Sequence, residues 1–481
     1  MSTEYQKIIT SLKRRRKGAT AADVCAATAL SLSSVNELLP KAADEYSGHL
    51  RVTESGEILY YFPNGFTSRY RGLSASLKNT AKKIFAIIKT ASAYLFKIWI
   101  VVMLVGYFLF FIALALATVF LSVAGKSSGR GGRRGGGSVN FTLFNLIWRL
   151  WFYSELTRPR TGYGGGNVRK NGDKRPLHKA VFSFVFGEED PNKNWEDQEY
   201  KAIISYIQAN RGVISLAEYM SFTGKSGQEA ETDILSFCSK FEGSPEATEE
   251  GTIVYRFDKL LSGSDTEKIS ELIPPIKRLK KFSDNKKSMN GWFAVINAVN
   301  IIFGSYFLYQ SSNAGLLVSK EQYYGASKLY AYTHLIFSNI TNEPHNVIRI
   351  ALGLIPFVFS FLFWIIPAVR YFMEKKENNE IKLTNFKRFS FSKIFSSPNN
   401  IKTNAFNPIV SECRPDDLES AADRVIKDMG AISSPRVEIR DDKTFYTFNE
   451  LEREKEALEK YRSSVDISRQ KLGETVFDTD G

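Results

Sequence analysis

IWIVVMLVGYFLFFIALALATVFLSVAG, Ile98 to Gly125, contains no charged side chain. A helix of about 20 such residues crosses the ~30 Å of hydrocarbon in a bilayer. Two further runs have the same character, Gly291 to Tyr309 and Ile350 to Ala368 (IALGLIPFVFSFLFWIIPA), with Trp292, Tyr309 and Tyr371 placed where aromatic rings favour the membrane interface. These stretches predict transmembrane helices over 291–309 and 347–372, and a first membrane segment with an amphipathic lead-in over 77–125.

Working outward, the charges orient the second and third runs. Lys277, Arg278, Lys280, Lys281, Lys286 and Lys287 precede the second, and Arg370, Lys375, Lys376, Lys382, Lys387 and Arg388 follow the third. Both outer ends therefore read as cytoplasmic. The connection 310–346 is poor in bases and predicts an extracytoplasmic loop with an amphipathic helix carrying Tyr330, Leu335 and Phe337. The first segment is flanked by bases on both sides, Lys89 and Lys97 before it and Lys126, Arg130, Arg133 and Arg134 after it. A simple crossing satisfies only one side; a crossing that returns through Phe141 to Phe152 keeps both polar parts inside but strands the Arg-rich loop outside, so a re-entrant hairpin is the expectation. The segment 126–194 reads as an Arg/Gly-rich linker (SGRGGRRGGG, Ser128 to Gly137) with an interfacial helix at 139–156, where Arg149 can extend its guanidinium to phosphates.

The polar remainder shows a recurring pattern. Residues 1–67 present three short helical stretches (Ile8, Ile9, Leu12; Val24, Ala27; Val35, Leu38, Leu39) and then two strands, HLRV and EILYYF, joined by a turn at Gly56. The order returns over 195–265. Glu54, Gly56, Ile58, Tyr60 and Phe62 recur in spacing as Glu249, Gly251, Ile253, Tyr255 and Phe257. Three helices followed by a β-hairpin is the order of a winged helix, so the predicted fold class is α+β, with tandem winged-helix-like modules joined to transmembrane helices. A partial third module is expected at 400–465, with RVEIR and FYTF as strands and a charged helix after them. A disordered tail is expected at 466–481.

Composition narrows the function. Lys plus Arg exceed Asp plus Glu by 64 to 51, and the excess lies beside the apolar runs, which points to anionic lipid headgroups. Arg14, Arg15, Arg16, Arg130, Arg133, Arg134, Lys280 and Lys281 are the candidate lipid- or phosphate-binding residues. The third helix of each module offers Asn36, Glu37, Gln228, Glu229, Glu231 and Asp233, a neutral to acidic surface that would repel nucleic-acid phosphates. Cys25, Cys238 and Cys413 lack metal-ligand or disulfide spacing, and His49, His178, His334 and His345 are scattered without a nucleophile motif. No enzyme activity and no cofactor are therefore expected. Glu188, Glu189 and Asp190 could hold a cation, but acids before a helix more simply complement its dipole. The wing aromatics Tyr60, Phe62, Tyr255, Phe257, Tyr446 and Phe448 are the candidate partner-binding residues.

The block VFSFVFGEEDPN (Val181 to Asn192), the second module with its wing EEGTIVYRF (Glu249 to Phe257), and the Arg/Gly linker resemble a family of uncharacterised multi-pass membrane proteins of cyanobacteria and chloroplasts. Some plant members are labelled iron–sulfur cluster biosynthesis proteins through an additional domain, whose cysteines this chain lacks. The resemblance implies membrane placement and domain order, and supplies no catalytic residue. The expectation is a membrane-anchored, non-enzymatic scaffold or assembly factor, in the cytoplasmic membrane or, in a photosynthetic source, the thylakoid. The alternatives are a membrane-tethered nucleic-acid-binding regulator and an accessory subunit of a transport complex.

Overall fold

The computed structural model describes residues 3–15, 18–63, 65–69, 73–124, 175–261, 271–314, 328–402, 406–408, 410–440, 443–466 and 474–479. In chain order the first elements are α1 (Thr3–Arg14), α2 (Ala21–Thr28), α3 (Leu32–Glu45), β1 (His49–Thr53) and β2 (Ile58–Tyr61). Next come α4 (Leu73–Val101), a π-helical turn (Val102–Gly106), α5 (Tyr107–Ala124), α6 (Leu177–Phe186), α7 (Trp195–Ala209), β3 (Val213–Ser215), α8 (Leu216–Thr223), α9 (Gly227–Phe241), β4 (Ser244–Ala247) and β5 (Ile253–Arg256). Then follow α10 (Lys287–Ala314), α11 (Lys328–Ser338), α12 (Pro344–Val347), a π-helical stretch (Ile348–Leu354) and α13 (Ile355–Ser396). The chain ends with β6 (Ile401–Lys402), α14 (Leu418–Gly430), β7 (Arg436–Arg440), β8 (Lys443–Thr447), α15 (Asn449–Ser464) and β9 (Thr475–Asp478).

These elements form two compact units. The first gathers Met1–Asn79, Asp190–Leu279 and Lys376–Gly481, and the second Thr80–Glu189 and Lys280–Lys375.

The first unit is α+β, with three small antiparallel sheets ordered β2-β1-β9, β3-β5-β4 and β6-β8-β7. Local sequence sets the helix starts. Thr20 with Asp23, Ser215 with Glu218, and Ser226 with Glu229 close capping boxes at α2, α8 and α9, pairing backbone donors that a helix N-terminus leaves open. The hairpin turns sit where a Cβ is disfavoured: Gly56 has φ +77° and Gly251 φ +83°. One apolar core draws on all three chain segments, with Ile8, Val35, Ile204, Ile234, Phe386, Phe391, Val425 and Leu458 inside it. The unit's core therefore joins residues some 400 positions apart in sequence.

Two expectations change here. The tail read as disordered over 466–481 is corrected at its end, because β9 pairs with β1 (Arg51 with Asp478, Val52 with Phe477) and Arg51 Nε donates to Asp478 at 2.6 Å. The wing aromatics are corrected more strongly. Tyr60, Tyr255, Phe257 and Phe448 are buried, and Phe62 stacks on Phe66 at 4.7 Å, because the inward face of each hairpin closes the core under its helices.

The second unit holds helices long and apolar enough to cross a membrane: Ile84–Phe120, Lys287–Asn313 and, beginning in this unit, Pro344–Ser396. The first of them runs as one unbroken helical path through the π turn. That corrects the re-entrant hairpin, which needs a reversal within the segment. The linker reading of 126–194 is corrected by α6, whose Ala180, Val181 and Val185 pack with Ile100, Leu104, Phe293 and Phe363. The proposed interfacial helix at 139–156, like Arg16, Arg130, Arg133 and Arg134, lies outside the described residues. A second cluster joins Phe111, Phe307, Tyr330, Ile348 and Leu352, and so seats α11 on the helices.

Candidate functional site

An enclosed ionic network in the first unit centres on Glu218. As the third residue of α8 it closes the capping box, and its side chain is buried. Arg462 on α15 meets both carboxylate oxygens, at 3.0 and 2.7 Å, and donates to the Val213 carbonyl at 2.8 Å. Tyr206 on α7 donates its hydroxyl to Glu218 at 2.5 Å. Arg211, adjacent, donates to the carbonyls of Arg462 and Ser463 at the C-terminus of α15. A cleft of about 480 Å³ opens beside this network, lined by Arg211, Glu218, Lys455, Glu459 and Arg462. Glu454, on the same helix, has its carboxyl pushed up to about 7, first by burial and then by the nearby Glu218 charge, with a Ser215 hydrogen bond opposing.

A related arrangement occurs at Asp23, the third residue of α2. It is buried, closes its capping box with Thr20, and takes Arg15 at 2.8 Å. Arg15 is thus engaged in an internal pair, while Arg14 stays exposed. Lys281 is exposed and faces Asp284 at 3.3 Å, and Lys280 is half-buried. Arg388 on α13 is a buried cation that pairs with Glu199, lies 4.6 Å over the Trp195 ring and donates to the Thr223 carbonyl at 3.1 Å. These pairs are structural: each satisfies a charge that the fold has removed from water.

In the second unit, Glu188 accepts from Arg175 and from Ser183. Arg175 holds its carboxyl down at about 2, against the opposing effect of partial burial. In the first unit Asp190 accepts from the Asn192 amide at 2.9 Å. The acidic run is accounted for by these local contacts. The structure also corrects the picture of scattered histidines: His334 and His345 lie with ring centroids 4.4 Å apart, and Tyr330 Oη is 2.9 Å from His345 Nδ1. Sequence spacing could not reveal this, because α11 and α12 come together only through the turn between them. Among the described residues no group of three or more His, Cys, Asp or Glu is arranged to hold a metal ion.

With the aromatic faces turned inward, the exposed apolar side chains of the first unit are others. Ile58 and Ile253 stand at the outer ends of their hairpins. On the edge strand β7, Val437 and Ile439 are 53% and 76% exposed, and on the edge strand β9, Val476 and Phe477 are 69% and 59% exposed. The second unit contains an apolar cleft of about 470 Å³ between α4, α6 and α13, lined by Trp99, Met103, Phe186 and Phe359 among others.

The chain is similar to a plant chloroplast protein. Over 427 residues it is 26% identical to an uncharacterised chloroplastic protein of Arabidopsis thaliana, a match covering 82% of this chain and 75% of that protein. No family model matches the chain, and no solved structure matches it. The likeness supports kinship with an uncharacterised plastid family. Together with the three apolar helices, it is compatible with a chloroplast membrane location.

Proposed function

We propose that this chain is a multi-pass membrane scaffold or assembly factor, anchored by its second unit and offering the edge strands of its first unit to protein partners on the stromal or cytoplasmic side. The observation that supports this reading is that β7 and β9, edge strands among the described residues, carry exposed apolar side chains. An edge strand presents unpaired backbone donors and acceptors, and natural proteins blunt such edges with charge, proline or a covering element unless the edge is used. On β7 the charges of Arg436, Glu438 and Arg440 alternate with exposed Val437 and Ile439, and on β9 Val476 and Phe477 are exposed, so each edge offers apolar side chains to a partner that adds a strand. The helix-then-hairpin order of residues 3–61 and 195–256 supports reading the two as winged-helix-like copies of one module, each pairing a buried acid on its second helix with an arginine. The three separate, buried cysteines offer no iron–sulfur ligand set, which favours a scaffold over a cluster carrier.

Purification of the full chain from its own membrane in mild detergent tests the reading. A stoichiometric companion protein should accompany the wild type and be lost from a Val437→Lys, Ile439→Lys variant whose unfolding midpoint is unchanged. A chain that carries no companion, or that disperses in buffer without lipid or surfactant, would end this proposal.

A further inference from the structure

A cleft of about 530 Å³ lies between α1, the end of α2 and α7, all within the first unit. That volume is ordinary for a small-molecule site. Its α1 wall is the polar stripe of an amphipathic helix: Lys7, Ser11 and Arg14 follow one another at helical spacing, on the side away from the core residues Ile8, Ile9 and Leu12. From α7 come Asp197 and Lys201, one turn apart.

The charges lining the cleft do not cancel. Lys7, Arg14, Arg15 and Lys201 are positive, and Asp197 alone is negative. Asp197 takes Lys7 at 2.6 Å, and Arg15 is neutralised at 2.8 Å by Asp23, which is buried and does not line the cleft. Lys201, at the spacing that would let it pair with Asp197 along α7, is thereby left over. Arg14 and Lys201 have no acidic partner among the described residues. Two uncompensated cations in one concave site focus a field that draws a doubly charged anion.

The hydroxyls of the cleft differ in the same sense. Thr10 Oγ1 donates to the Gln6 carbonyl at 2.7 Å and Thr28 Oγ1 to the Val24 carbonyl at 2.6 Å, so both are satisfied within their own helices. Ser11 Oγ is buried at the cleft wall and has no partner. A turn about its χ1 offers that donor to an acceptor oxygen in the cleft.

We propose that this cleft binds a phosphoryl group carrying two negative charges, with Arg14 and Lys201 pairing its oxygens and Ser11 donating to one of them. The charge of a phosphate monoester matches the two unpaired cations, and such charge-assisted bonds are the strong ones. A divalent cation finds no free carboxylate here, because Asp197 is already engaged. The group belongs to a soluble phosphate compound or to a lipid headgroup, and the two arms of the test separate these sources. The site stands apart from the scaffold reading and survives its failure.

The test uses the full chain in phosphatidylcholine nanodiscs at about pH 8, with its thermal unfolding midpoint followed in sodium phosphate and in sodium chloride at equal ionic strength. Phosphate should raise the midpoint by about 2–4 °C, saturating with concentration. In the second arm phosphatidic acid replaces part of the phosphatidylcholine, in chloride alone. A rise there and not with free phosphate assigns the group to a lipid, and the reverse assigns it to a soluble compound. Arg14→Gln and Lys201→Gln should each weaken half-saturation about tenfold while leaving the chloride midpoint in place, since neither side chain has an ion pair to lose. Arg424→Gln, which removes an equal charge from the exposed side of α14, should leave half-saturation unchanged. No rise in either arm, a rise that survives both cleft variants, or one weakened equally by all three substitutions would overturn the proposal.

Discussion

Arg462 and Glu218, 244 positions apart in the chain, form a two-pronged pair with nitrogen–oxygen distances of 3.0 and 2.7 Å. The carboxylate is buried and the guanidinium nearly so. Coulomb attraction inside the fold roughly offsets the cost of removing both charges from water, so the pair contributes little net stability while making each partner dependent on the other. Arg462→Met should destabilise the first unit by about 3–5 kcal/mol, because it strands the Glu218 charge. The double variant Glu218→Gln, Arg462→Met should recover much of that loss, a non-additivity that denaturant midpoints of the four proteins would measure.

Glu454 gives the first unit a pH dependence of definite sign. Its carboxyl is raised to about 7 in the folded state, above the ordinary carboxylate value, so the folded chain holds that proton more tightly than the unfolded chain. The penalty for ionising it is absent below the unfolded value and fully present above about 7. Stability should fall by on the order of 2 kcal/mol between pH 5 and pH 8. In Glu454→Gln, urea midpoints over the same range should lose most of that slope. A wild-type midpoint that rises with pH would contradict the assignment.

What the sequence made legible follows from how local each signal is. The apolar runs stood out because an uncharged helix-length stretch has few other uses, and the hairpins because Gly56 and Gly251 mark turns that need positive φ. The direction of the wing aromatics was not legible. Alternation places Ile253, Tyr255 and Phe257 on one side of a strand, but which side meets the core depends on helices distant in sequence. Helix α6 was hidden because its ten residues are too few to span a membrane and sit among polar neighbours. The Glu218 to Arg462 pair left no trace in spacing at all.

The inward turn of the wings carries its own prediction. Phe257, just past β5, is fully buried against Phe237, at 5.4 Å between ring centroids, whereas Ile253 at the start of β5 is 59% exposed. Phe257→Ala should cost about 3–5 kcal/mol through the lost burial and the cavity it leaves. Ile253→Ser should stay within about 0.5 kcal/mol, as exposed substitutions do. Thermal unfolding of the two variants reads the difference directly. Similar small losses in both would restore the outward-facing wing.

Helix approach in the second unit rests on two glycines facing opposite backbones. A Cβ on Gly304 would meet the Phe357 backbone nitrogen at 3.0 Å, and one on Gly353 would meet the Leu308 Cα at 3.0 Å. In a bilayer, helices gain little from burying apolar surface against each other, so close backbone packing through small residues carries much of their association. Neither obstacle is a side-chain end that can swing aside. Gly304→Ala and Gly353→Ala should each force a small separation of α10 from the π stretch and lower stability by about 1–3 kcal/mol. Gly291, near the start of α10, has nothing within reach of an added Cβ. Gly291→Ala should therefore be neutral or slightly stabilising, since alanine favours the helix by up to about 1 kcal/mol. Thermal midpoints of the three variants in one detergent provide the comparison, and equal effects at all three positions would remove the packing argument.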